Sequence, residues 1–232
     1  MAYNKYIFIN NNRRKKQKEL EEKRKAENTQ ISFDTLTNAM AETNSNASAR
    51  IVNTKKGKSK NLMQFVDDYV LVDIETTGLS PVQDDIIEIG AIRVENNKMV
   101  ETYNQLININ RSLPPFITNL TGITDDMLKT GKMPAEVLQE FVDFVGENVI
   151  IGHNINFDLG FLCDKCRKYL NYNLNNDYVD TLYLARRLVP NSINYKLGTL
   201  ANYFHISYEG AHRGLKDVEI TYEVYNKLRN LN

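Results

Sequence analysis

Asp73 and Glu75 stand two residues apart at the end of an apolar run, in Asp73-Ile74-Glu75-Thr76-Thr77-Gly78-Leu79. In a strand, residues i and i+2 project from the same side, so this spacing sets two carboxylates together while Ile74 turns into the core. Neighbouring carboxylates repel unless a cation or a proton comes between them. Oxygen ligands with no Cys or His among them suit a hard ion, Mg2+ or Mn2+, better than zinc. Gly78 allows a close backbone approach or a positive φ beside that pair. Alone, Asp-x-Glu would read as a polar strand end. Two further segments change that. His153-Asn154-Ile155-Asn156-Phe157-Asp158 follows a short apolar run and opens a helix. Asp158 falls near that helix N-terminus, where a carboxylate is also a plain cap. His212-Arg213-Gly214-Leu215-Lys216-Asp217 opens the last helix. Residues five apart on one continuous helix diverge by roughly 140°. His212 is therefore expected on the preceding loop, free to reach a site that Asp217 also lines.

Such side chains need a scaffold. Residues 69–72 form an apolar run ending in Asp73, a buried strand. Residues 86–94 and 100–109 read as two more strands, with Asn96-Asn97 as the turn between them. Over 135–145, Val137, Leu138, Phe141, Val142 and Val145 share one helical face. A strand at 149–152 leads to a helix at 159–170, with Leu159, Leu162, Cys163, Cys166 and Tyr169 inward. A last strand at 178–180 precedes helices at 181–189, 197–204 and 214–229. Early strands followed by alternating strands and helices indicate an α/β domain with a mixed sheet.

Taken in order, the three segments resemble the DEDDh 3′→5′ exonuclease superfamily, and within it the proofreading domains of bacterial replicative DNA polymerase III. Leu120-Thr-Gly-Ile-Thr, Asp180-Thr181 and Lys196-Leu-Gly-Thr-Leu add to the match, which covers about residues 68–230. Gly214 and Val218 stand where the family commonly has alanine, and the exchange at 214 is expected to be harmless. The resemblance implies a ribonuclease H-like fold and a two-metal phosphodiesterase using two Mg2+ or Mn2+ ions. Asp73, Glu75 and Asp217 match ligands of one ion, with Asp73 bridging to a second that Asp158 supports. His212 matches the general base that takes a proton from the attacking water, a task suited to a group titrating near neutrality. Thr76 and Leu79 match residues that hold the terminal nucleotide. Phe161 matches an aromatic packed near the terminal bases. The implied reaction releases nucleoside 5′-monophosphates from single-stranded DNA 3′ ends, with a separate DNA polymerase subunit as partner. The alternatives are an exoribonuclease, since one metal site serves both sugars, and a non-catalytic nucleic-acid-binding module.

Composition narrows the class from outside. The chain has 232 residues, 29 Lys+Arg against 29 Asp+Glu, 25% charged and 42% apolar, ordinary for a globular protein with a core. Two cysteines cannot form a framework of bridges, so a reducing cytoplasm is expected. Cys163 and Cys166 lie on one helix with no second pair, which argues against zinc. No run reaches the ~20 apolar residues of a membrane span. His153, at a strand end, reads as structural, and His205 as a surface or core residue. Zero net charge hides a split. Residues 1–64 hold 14 basic and 6 acidic residues, and residues 65–232 hold 15 and 23. The first part is Asn- and Lys-rich and reads as a largely flexible basic tail ahead of an exonuclease domain from 65 to 232. Within it, 13–28 could form a solvated helix, and Phe33, Leu36 and Met40 a short amphipathic turn. Lys55, Lys56, Lys58 and Lys60 are placed to offset repulsion between an acidic domain and a polyanion.

Overall fold

The computed structural model describes residues 59–232. Three antiparallel strands lead the domain: β1 (Tyr69–Thr76), β2 (Ile86–Glu95) and β3 (Lys98–Leu106). Asn96 and Asn97 both take positive φ, 50° and 62°. That is the backbone twist a two-residue hairpin between right-twisted strands requires. β2 is buried along nearly its whole length, as a strand covered on both faces must be. β3 is an edge strand, exposed and largely polar. On the other side of β1, β4 (Val149–Gly152) and then β5 (Tyr178–Asp180) add in parallel, giving the order β3-β2-β1-β4-β5.

Seven helices complete the described residues: α1 (Pro115–Thr121), α2 (Asp125–Lys129), α3 (Pro134–Val145), α4 (Asn156–Leu170), α5 (Thr181–Leu188), α6 (Leu197–Tyr203) and α7 (Gly214–Arg229). Strand alternation splits β1 between two cores. Val70, Val72 and Ile74 face α3 and α4, among Leu138, Phe141, Phe161 and Leu162. Tyr69 and Leu71 face α5, α6 and α7, among Leu184, Leu200, Val218 and Tyr225. Asp73 and Glu75 continue the second series, so they belong to the α7 face.

Several boundaries differ from the sequence expectation. β1 does not stop at Asp73. It stays paired to β2 as far as Thr76, with an irregularity between Glu75 and Thr76. β3 ends at Leu106 because Ile107 leaves it to bridge Lys132. α1 and α2 occupy the segment around Leu120-Thr-Gly-Ile-Thr and were not anticipated, each being too short to show a helical period. Gly122 at φ 72° ends α1, and Thr124 caps α2 by accepting the Met127 N–H. On α3, Phe144 is buried and Val142 only partly so. On α4 the inward face is rotated from the expected one. Phe161, Leu162, Lys165 and Cys166 are buried, whereas Leu159 and Cys163 are half-buried and Tyr169 is exposed. The helix begins at Asn156, and the inward turn of Asp158 sets that face. Both cysteines are free thiols, and burial pushes Cys166 up to about 12.

Residues ahead of Phe65 already join the sheet. Lys60 O accepts the Tyr178 N–H at 2.9 Å, and the Leu62 N–H donates to Tyr178 O at 2.8 Å, so this segment runs along the outer edge of β5. Leu62, Phe65 and Val66 then pack against the α7-side core. Residues 60–62, which pair with Tyr178, lie just ahead of the boundary expected after residue 64. Lys55, Lys56 and Lys58, the 13–28 helix and the turn at Phe33, Leu36 and Met40 lie outside the described residues. Among the described residues, no helix is long and apolar enough to cross a membrane.

Candidate active site

α7 meets the sheet where β1 carries its two acids. One carboxylate oxygen from each of Asp73, Glu75 and Asp217 lies within 4.8 Å of the others. Facing glycines allow so close an approach. Gly90 is the β2 partner of Asp73, and a Cβ there would lie 2.2 Å from the Gly214 carbonyl carbon. Gly214 is part of the same contact. A Cβ on it would fall 2.9 Å from Gly90 N, so an alanine at this position would push helix and sheet apart. Asp158 arrives from the opposite helical layer, in the first turn of α4. β4 pairs with β1 only as far as Leu71. Further along, the Ile74 N–H is met by Asp158 Oδ1 instead, at 3.1 Å.

Asp73 and Glu75 keep some accessible surface, while protein packs around the rest of each carboxylate. Burial, and next the charge of Asp217, hold both well above the usual carboxylate range. Burial also raises Asp217, against the opposing pull of His212. Asp158 is pushed up to about 8, chiefly by burial, despite its bond from Ile74. Asp217 Oδ2 accepts the His212 backbone N–H at 3.0 Å, but Asp217 Oδ1 is buried with no hydrogen-bond partner. Buried acceptors are normally satisfied, so an orphan beside two repelling carboxylates marks a place short of positive charge.

Residues 70–225 match the RNase_T family of exonucleases. The chain belongs to that family. The PolC-type DNA polymerase III of Caldanaerobacter subterraneus subsp. tengcongensis is 41% identical over 161 residues, covering 69% of this chain and 11% of that protein. The PolC-type enzyme of Bacillus subtilis is 38% identical over 156 residues, covering 67% and 11%. The chain thus spans about a ninth of the length of these relatives. Among solved structures, E. coli exonuclease I in complex with a dA16 oligonucleotide aligns with a TM-score of 0.62 and 20% identity, over 72% of this chain and 42% of that one. A zinc-bound E. coli exonuclease I–ssDNA complex aligns with a TM-score of 0.62 and 21% identity, over 72% and 42%. At such identity the likeness is one of fold, a ribonuclease H-like mixed sheet flanked by helices. The superfamily read from the three motifs agrees with both comparisons.

The other residues singled out in this exonuclease-family chain fall into place unevenly. His212 sits on the loop before α7, as its spacing required, at φ 67° and with its ring edge-to-face with Tyr208 at 6.1 Å. Thr76 is buried and its Oγ1 donates to Gly78 O at 2.6 Å, while Leu79 stays partly exposed in the following turn. Gly78 serves a close approach: a Cβ there would lie 2.5 Å from the Asp84 carboxylate. Phe161 does not fit its expected role beside the bases. It is fully buried in the α3–α4 core, one turn below Asp158 and packed against Phe157, and has no free face. His153 is structural. Its Nε2 donates to Tyr195 O at 2.7 Å, its Nδ1 lies 2.9 Å from Thr181 Oγ1, and burial lowers it to about 4. His205 is a surface residue at φ 59°.

Sequence reading missed Glu88. It pairs across the sheet with Glu75, on the α7 face, and is 0% exposed. Its Oε2 accepts from Arg213 Nε at 3.1 Å and from the Gly214 N–H at 3.0 Å. Its Oε1 accepts from Arg213 Nη2 at 2.8 Å and from Asn104 Nδ2 at 3.3 Å. The available signal was a lone acid inside the mostly apolar run 86–94.

Proposed function

We propose that this chain hydrolyses single-stranded DNA from the 3′ end, releasing nucleoside 5′-monophosphates, at the Asp73–Glu75–Asp217 cluster. The observation that carries the reading is that convergence of three carboxylates, raised by burial and mutual repulsion, around an orphaned Asp217 oxygen. The donor set is all oxygen, which fits Mg2+ or Mn2+. Asp73, Glu75 and Asp217 would hold such ions, with Asp158 beside them. Divalent ions there would supply Lewis-acid stabilisation of the charge that develops on the phosphate and its leaving oxygen.

The chain's own residues do the rest. His212 accepts the proton of the attacking water on a ring nitrogen. Asp217 Oδ2 holds the His212 backbone, keeping base and acid cluster in register. Thr76, Leu79 and the turn they open take the terminal nucleotide. Similarity to PolC-type polymerases and to exonuclease I favours DNA and a proofreading role beside a polymerase. The test is digestion of 5′-labelled single-stranded DNA and RNA side by side, with and without EDTA. The expected result is stepwise shortening of the labelled strand from its 3′ end with release of nucleoside 5′-monophosphates, from DNA in preference to RNA and only with divalent metal. Preferential RNA digestion would replace the substrate, and full activity in EDTA would overturn the mechanism.

A further inference from the structure

Glu88 is a fourth acid against a cluster that already repels itself. Its charge raises Asp73, Glu75 and Asp217 alike. A buried pair of this kind could be replaced by apolar side chains without loss of stability, so stability alone gives no reason for an acid here. Its bonding differs from that of its neighbours. Four donors occupy its two oxygens, leaving little room for an ion. Two of the donors belong to Arg213 and one to Gly214. They lie directly between His212 and Asp217 in sequence, and a planar guanidinium engaged by two nitrogens fixes direction as well as distance. Arg213 has extended backbone, φ −138° and ψ 127°, and the helix starts at the next residue. The Glu88 carboxylate therefore grips the chain at the junction where the His212 loop becomes α7.

We infer that Glu88 is a positioning residue of this site: through Arg213 and the Gly214 N–H it sets the register of the α7 start on the sheet, and so places His212 and Asp217 against Asp73 and Glu75. The facing glycines at 90 and 214 let the helix come close, and the Glu88 clamp decides where along β2 it lands. The inference rests on the catalytic reading of the cluster given above. A misplacement of about 1 Å can cost about 100-fold in rate, so the clamp acts on kcat, while the turn that holds the terminal nucleotide keeps KM.

The experiment is steady-state hydrolysis of 5′-labelled single-stranded DNA at saturating Mg2+, well below each protein's Tm. It compares the wild type with Glu88→Gln, Arg213→Gln, the double variant and Arg213→Lys, with Asp73→Asn as control. Each single substitution to Gln is expected to lower kcat by about 10- to 100-fold with KM within about threefold. The double variant is expected to match the worse single one, because both remove the same clamp. Arg213→Lys keeps the charge but not the fork and should retain more kcat than Arg213→Gln. Arg213 is 39% exposed in its side chain, so its variants keep the test available if Glu88→Gln does not fold. Wild-type kcat in Arg213→Gln, or additive losses in the double variant, would overturn the inference. Full activity in Asp73→Asn would instead overturn the catalytic reading itself.

Discussion

Two sets of carboxylates share the α7 face of the sheet a few ångströms apart, and they are treated in opposite ways. Glu88 is fully buried and meets four protein donors. Asp73 and Glu75 keep some access while Asp217 is buried like Glu88, and the three lean on one another and leave Asp217 Oδ1 with no partner. Burial by itself therefore does not tell a structural acid from a functional one. The supply of donors does: a carboxylate already saturated by guanidinium and backbone N–H groups holds the fold, and one left short is available to a cation.

The largest effects should fall on the unsatisfied set. Asp73→Asn or Asp217→Ala is expected to abolish Mg2+-dependent hydrolysis with the circular dichroism spectrum unchanged; residual wild-type rates in both would sink the ligand assignment. His212→Ala should lower kcat by about 10²–10⁴-fold, the usual range for a lost acid–base group, and should weaken the acidic limb of the pH–rate profile. An unchanged rate would remove His212 from the chemistry.

Thermal unfolding without divalent metal should separate the two sets by sign. Asp73→Asn removes repulsion and should raise Tm at neutral pH. Glu88→Gln sets a side-chain amide against Arg213 and the Gly214 N–H, and should cost about 1–3 kcal/mol. Shifts of the same sign would erase the difference between the two sets. The pH dependence sharpens it further. Carboxyls raised in the folded state contribute stability that is present at low pH and lost as pH rises through their folded values, about 8 for Asp158. Metal-free protein should thus lose stability from about pH 5 to about pH 8, and Mg2+ should raise Tm more at the upper end. An equal Mg2+ effect at both ends would contradict this.

The smallest effect concerns His153, whose environment is satisfied like that of Glu88. Its folded value of about 4 lies below the unfolded 6.5, so the unfolded chain binds the extra proton and stability falls as pH drops through that interval. His153→Gln should flatten the stability profile there and leave the acidic limb of hydrolysis in place. A changed kinetic limb would make His153 part of the mechanism.

Much of this arrangement was legible along the chain, and the exceptions have physical reasons. The strands at 149–152 and 178–180 and the last helix lie where apolar pattern put them. α1 and α2 escaped notice because five to seven residues show no period. A motif match sets Phe161 near the bases because a motif gives neighbours in sequence and not the side of a helix. Asp158 turns inward at the helix start, and Phe161, three residues on, follows it into the core. Glu88 was missed because a lone acid in a buried strand looks like an interruption until its partners, 125 and 126 residues away, are seen.

The sequence by itself determined the α/β class, the family, and the pairing of Asp73 with Glu75, because alternation along a strand and spacing along a helix are local properties of the chain. It also placed His212 ahead of its helix, since residues five apart cannot share one helical face. Only the tertiary structure decided which carboxylates lack donors, where α7 lands on β2, and that Gly90 and Gly214 meet. Those outcomes depend on contacts between segments more than a hundred residues apart, where close packing, rather than any local preference, fixes what can approach what.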